Sequence, residues 1–313
     1  MTGASGHRAD TAKADGWASQ RERGNLLSLR ILAWIALRLG RVFSRCLLVP
    51  VVAYFYVSSP KARRASSLFL SRAAAGRNGA LDVFRHLYTF AVVTLDRIYF
   101  LNGRFELFDV AIRDSDGIAL GTATRGAGMF LMGAHMGSFE SVRCIGRQHP
   151  ALKMVLLMYE ENARNLRRLL GAINPEAQQA IIALGQPSAM LEVRDQLQAG
   201  ALIGILADRS LDVAGRVEVN FLGRRASFPM GPFRLAATLK HPVFFMVGRY
   251  EGGKRYTIHL EPIADFADVL AADREQAIAA ALTRYVQLIE KHCLQAPENW
   301  FNFFDFWEEE LQP

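Results

Sequence analysis

The chain has 313 residues, 51% of them apolar and 21% charged, room for one large α/β domain or two small ones. That balance excludes a disordered, collagenous or coiled-coil protein. The net charge of +7 is unevenly placed: residues 1–104 hold 16 Lys and Arg against 5 Asp and Glu, and the remainder holds 21 against 25.

Residues 1–25 are small and polar and are expected to form a disordered tail, without the apolar core of a signal peptide. The apolar stretch Ile31–Val57 follows, long enough to span a bilayer but interrupted by Arg38, Arg41 and Arg45. On a helix, Arg30 and these three fall within an arc of about 80°. Three arginines in mid-span would cost about 2.5–3.5 kcal/mol each. A helix lying in the interface avoids that cost, with arginines on lipid phosphates and Leu32, Trp34, Ile35 and Leu39 in the acyl region. The alternative is a buried helix whose arginines are paired. Pro50 is expected to separate a second apolar run, Val51–Val57, followed by Lys61, Arg63 and Arg64. A basic segment joined to an apolar one points to an anionic membrane surface as partner. No zinc finger or RNP box occurs, so nucleic acid is not expected.

Residues 61–104 read as two helical pieces broken at Gly76, Asn78 and Gly79. From about 105 the pattern changes. Apolar runs at 128–134, 153–158, 201–206, 242–249 and 255–260 read as strands, and amphipathic stretches at 138–148, 161–172, 188–198, 231–239 and 273–294 as helices. This alternation predicts an α/β fold with a mainly parallel central sheet flanked by helices. The domains are then a tail at 1–25, a helical membrane-interface segment at 26–104 and an α/β domain at 105–313.

In Arg125–Cys144, RGAGMFLMGAHMGSFESVRC, a buried strand ends at His135 and a helix begins near Ser138. His135 therefore stands at a strand's C-terminal end, where open α/β sheets expose ligand sites. Glu140, across one turn, is placed to bend back and orient the imidazole, leaving the other ring nitrogen as a general base. A structural histidine is the alternative reading. Backbone N–H groups near Gly137 and Ser138 are candidates for holding a developing oxyanion. Asp208 and Arg209 close another strand, hence the same rim, and Arg209 suits a phosphate; a local ion pair is the alternative. Phe221, Gly223 and Arg224 form a turn that caps the pocket or simply closes a hairpin. Arg164, Arg167 and Arg168 share a helix face that either receives an acidic partner or is merely solvated.

GAHMGSFE resembles the His-x4-Asp/Glu block of lysophospholipid-type acyltransferases, and is most similar to that of the bacterial lipid A late (lauroyl/myristoyl) acyltransferases. GALIGILADRSLD, VEVNFLGRRASFPMGPFRLAATLKHPVFF and PENWFNFFDFW resemble later blocks of that family in the same order. Ser138, Phe139 and Leu222 depart from its usual residues, which leaves the acceptor open between a lipid A precursor and another hydroxylated lipid. The resemblance implies transfer of a fatty acyl chain from acyl carrier protein to a lipid hydroxyl at the cytoplasmic face of the bacterial inner membrane. His135 would be the base and Glu140 its orienter. Arg164, Arg167 and Arg168 would dock the carrier, and Asp208, Arg209, Phe221, Gly223 and Arg224 would line the substrate site. No cofactor is implied beyond the donor's phosphopantetheine thioester. His and Cys occur at no metal-ligand spacing, and Cys46, Cys144 and Cys293 form no disulfide framework, which fits a reducing compartment. A thioester or ester hydrolase on the same scaffold, and a non-catalytic lipid-binding protein, are the alternatives. The aromatic block Trp300–Trp307 is expected to pack the C-terminus onto the core.

Overall fold

Apolar runs too short for helices assemble into one sheet, and the longer amphipathic stretches cover it. The computed structural model describes residues 26–74, 76–174, 180–185, 187–209 and 215–307. The expected disordered tail at 1–25 and the acidic close Glu308–Glu310 lie outside the described residues. Three helices come first: α1 (Leu26–Ser58), α2 (Pro60–Ala73) and α3 (Ala80–Leu101). Then follow β1 (Asp109–Asp114), α4 (Ile118–Thr124), β2 (Met129–Gly133), α5 (Arg143–Gln148), β3 (Met154–Tyr159) and α6 (Glu160–Ile173). Next come β4 (Ala180–Leu184), α7 (Pro187–Gln198), β5 (Leu202–Leu206), β6 (Arg216–Phe221) and β7 (Arg224–Pro229). The chain closes with α8 (Gly231–Leu239), β8 (Val243–Tyr250), β9 (Arg255–Ala264) and α9 (Arg274–Gln295).

The seven-stranded sheet has the order β1-β9-β8-β2-β5-β3-β4, and every pairing but β8 with β9 is parallel. The mainly parallel α/β sheet thus stands as expected. β2 is buried along its whole length, as a strand covered on both faces must be. Phe130 and Met132 join the core on one face with Tyr285 and Ile289 of α9. Met129 and Leu131 join the other with Val92, Leu95 and Ile98 of α3. Burial of each such side chain is worth about 1.5–3 kcal/mol. β1, β4 and the hairpin of β6 and β7 were not among the expected strands. β1 and β4 are edge strands, and β1 only half-buries Val110 and Ile112 on one face, so it lacks the continuous apolar signal of β2.

α1 differs from expectation in two ways. Pro50 sits inside the helix, and the break in helical geometry is at Gly40. Arg41 and Arg45 also face the protein. Arg41 forks onto both oxygens of fully buried Asp96 at 2.7 Å each, and Tyr256 donates to the same carboxylate. Arg45 donates to Gly253 O and Tyr250 Oη. The paired-arginine alternative therefore describes these two residues, because a buried carboxylate binds a guanidinium better than an open surface does. Ala33, Ala36, Ser44, Leu48 and Val52 form the buried stripe of α1, while Trp34, Val42, Tyr54 and Val57 are 61–80% exposed on its other side. No single described helix is long and apolar enough to cross a membrane, although α1 from Ala33 and α2, bent by 96°, pass that test together.

Candidate active site

The site is built where β2 and β5 end side by side. Gly133 pairs with Leu206 in parallel register. His135 and Asp208 each stand two residues beyond that pair, so the register itself brings them together. Asp208 accepts from His135 Nδ1–H at 2.8 Å and from the His135 backbone N–H at 3.0 Å. A bond from Nδ1 to an ionised carboxylate fixes the proton on that nitrogen and leaves the Nε2 lone pair available. Asp208 is fully buried, whereas the His135 side chain is 32% exposed, so the ring reaches solvent and the acid behind it does not.

The electrostatics suit a base. Loss of hydration holds His135 below the usual histidine range, and the Arg209 charge adds to this while Asp208 opposes it. The ring is therefore neutral at neutral pH. Burial alone would raise the Asp208 carboxyl, but the charge and hydrogen bonds of His135, aided by Arg209, hold it well below the carboxylate range. Burial pushes Arg209 down to about 10, against the pull of Asp208, so it stays cationic.

The Glu140 carboxylate meets Arg97, and the His135 ring meets Asp208. Glu140 is the second residue of a short 3-10 turn at Phe139–Val142, and its carboxylate forms an ion pair with Arg97 of α3 at 2.5 Å, without the alignment of a hydrogen bond. Arg143 also feels its charge. The turn leads Glu140 toward α3, and the strand register gives the His135 ring to Asp208 instead. With Phe139 and Arg143, Glu140 lines a recess completed by Leu101, Met154, Leu156, Leu166 and Leu170.

The expected oxyanion donors are also spent elsewhere. Gly137 N–H donates to Asn299 O at 2.9 Å and Ser138 N–H to Gly248 O at 2.7 Å, since the loop after His135 is clamped between β8 and the C-terminal segment. The clamp explains the glycines. Gly137 has φ +58°, and a Cβ there would lie 2.1 Å from Gly248 O. A Cβ on Gly248 would meet Ser141 Oγ at 1.9 Å and Ser138 O at 2.3 Å. What the loop does leave open is the Ser138 hydroxyl, buried and without a partner.

Sequence reasoning missed the C-terminal segment's part in this site. Phe301 N–H donates to His135 O at 2.7 Å, and Asn302 Nδ2 donates to Asp208 Oδ2 at 3.2 Å. Arg209 donates to Asn302 Oδ1 and Phe301 O and lies 5.2 Å from the Phe304 ring. Its guanidinium is thus engaged in fastening this segment. The signal was there in Asn299 and Asn302, amides set among aromatics that pack inward. Trp300, Phe301, Phe306 and Trp307 are buried, as expected for core packing.

The remaining expected residues lie apart from the pair. Phe221 is buried against Trp300 and Trp307. Leu222 and Gly223 have φ of +51° and +78° in the turn from β6 to β7, and Arg224 opens β7. Leu222 and Gly223 are thus a two-residue hairpin turn, and Phe221 before it packs on Trp300, whose backbone bridges Met136. Arg164, Arg167 and Arg168 are exposed on α6. A cavity of about 540 Å3 between β6 and α9 contains none of these candidates.

Two comparisons bear on this geometry. Residues 110–309 match the profile of a family described as bacterial lipid A biosynthesis acyltransferase. No curated protein matches the chain.

Proposed function

This chain belongs to the bacterial lipid A biosynthesis acyltransferase family, and from that premise we propose that it carries an acyl chain from acyl carrier protein to a lipid hydroxyl at a membrane surface. The observation that carries the reading is the partly exposed His135 ring, bonded through Nδ1 to buried Asp208. His135 Nε2 takes the proton of the acceptor hydroxyl as its oxygen attacks the thioester carbonyl. Asp208 stabilises the imidazolium that forms and acts as a positioning residue. Collapse of the tetrahedral intermediate expels the pantetheine thiolate, which takes a proton from His135 and resets the base. The Ser138 hydroxyl, which has no partner in this loop, is the proposed donor to the developing oxyanion.

Two surfaces support the partners. The exposed apolar side of α1, from Trp34 to Val57, suits the acyl region of a bilayer, in keeping with action at the cytoplasmic face of the inner membrane. Arg164, Arg167 and Arg168 suit an acidic carrier protein. The test supplies purified protein with a fatty acyl carrier thioester, with and without a lipid A precursor or another hydroxylated lipid. Acylated lipid that disappears with His135→Ala supports the proposal. Release of free fatty acid at full rate without any lipid acceptor would replace it with a hydrolase.

A further inference from the structure

The fold assembles a second constellation that the acyl-transfer reaction does not use. His259 and Glu261 are two residues apart on β9 and so share one face of the sheet. α9 crosses that face and contributes His292. One ligand-capable atom from each of the three lies within 4.8 Å of the other two. The rings of His259 and His292 meet edge to face, with centroids 4.7 Å apart. His292 is fully buried and its Nε2–H donates to Glu261 Oε1 at 2.7 Å. Buried His259 Nε2 has no partner. Interior polar atoms left this way are uncommon and call for an explanation.

Two imidazoles and one carboxylate, converging from a strand and a helix, form a donor set suited to a four-coordinate divalent transition ion with water in the last position. We propose that His259, Glu261 and His292 form a zinc-type metal site that braces β9 against α9. A bound ion takes the place of the His292 Nε2 proton and of the Lys291 ammonium, which otherwise pairs with Glu261 Oε2. Lys291 is 47% exposed, so it marks the side from which an ion enters. The site stands behind the catalytic loop: His259 pairs with Val247, next to Gly248, against which that loop is clamped. Its role is structural, and its readouts are metal content and stability. The sequence hid it because the third ligand lies 31 residues from the second, on another element.

Untagged full-length protein, stripped with a chelator and dialysed, is titrated with zinc and separately with Co(II). The expected results are one zinc per chain, visible Co(II) bands of a tetrahedral site, and a higher Tm with metal than without. His259→Gln and His292→Gln should each weaken zinc binding about a hundredfold. Lys291→Met should tighten it, because the competing ammonium is gone. Melting of the metal-free variants checks their folding. If both histidine variants fail to fold, Lys291→Met decides: tighter binding supports the site, and unchanged or weaker binding overturns it. No stoichiometric zinc in the parent, or parent affinity in a folded His259→Gln, also overturns it.

Discussion

Replacing Asp208 by Asn separates the two candidate partners of the His135 base. The Asp208 carboxylate accepts three hydrogen bonds, from the His135 backbone at 3.0 Å, its Nδ1 at 2.8 Å and Asn302 at 3.2 Å. An amide has one acceptor oxygen. With that oxygen on Nδ1–H, its NH2 faces two donors, the His135 N–H and Asn302. With the amide turned over, NH2 faces Nδ1, which drives the ring proton to Nε2 and removes the base. Hydrogen bonds to charged groups contribute about 1.5–3 kcal/mol each, so either arrangement is costly. We expect kcat for acyl transfer to fall by about 10²–10⁴, with far less change in KM. The pH profile gives a second readout. Asp208 is the group that raises the His135 pKa against desolvation and Arg209, so Asp208→Asn should move the acid limb to lower pH. Glu140→Gln leaves the His135–Asp208 pair whole and should leave that limb in place. The assay follows transfer from acyl carrier thioester to lipid between pH 4.5 and 8. An unchanged rate in Asp208→Asn, with a shifted limb in Glu140→Gln, would refute the assignment.

Three further outcomes follow from the same geometry. Gly248→Ala puts a methyl group against Ser141 and the Ser138 carbonyl, and should destabilise the fold by about 1–3 kcal/mol or displace the His135 loop, read as lowered Tm and lost activity. Burial pushes His86 down to about 4 between Ser66 Oγ and Trp300 O. Its unfolded pKa is higher, so stability present above pH 6.5 is lost as pH falls toward 4, by roughly 1.4 kcal/mol per pH unit from this group. His135 and His259 act in the same direction, and a flat denaturant-unfolding profile between pH 7 and 5 would contradict the burial argument. Val42→Asp with Val57→Asp, at positions 80% and 75% exposed, should weaken sedimentation with anionic vesicles about tenfold or more while leaving Tm within a degree or two. Undiminished vesicle binding would remove this helix face from the membrane proposal.

The sequence carried the local part of this protein. Continuous apolar runs such as MFLMG marked central strands, and three- and four-residue spacing marked the helices that cover them, because these periods follow from backbone geometry alone. It also placed His135 and Asp208 on one rim, since both follow strand ends. Only the tertiary structure decided which acid meets the imidazole. Glu140 is five residues from His135 and Asp208 is 73, but the order of strands in the sheet sets the distance that counts, and β5 lies beside β2. The same is true of Asn302 on Asp208, of Arg41 turned inward onto Asp96, and of His292 meeting Glu261. Each of these contacts joins segments far apart in the chain, and periodicity within a segment holds no information about which other segment will pack against it.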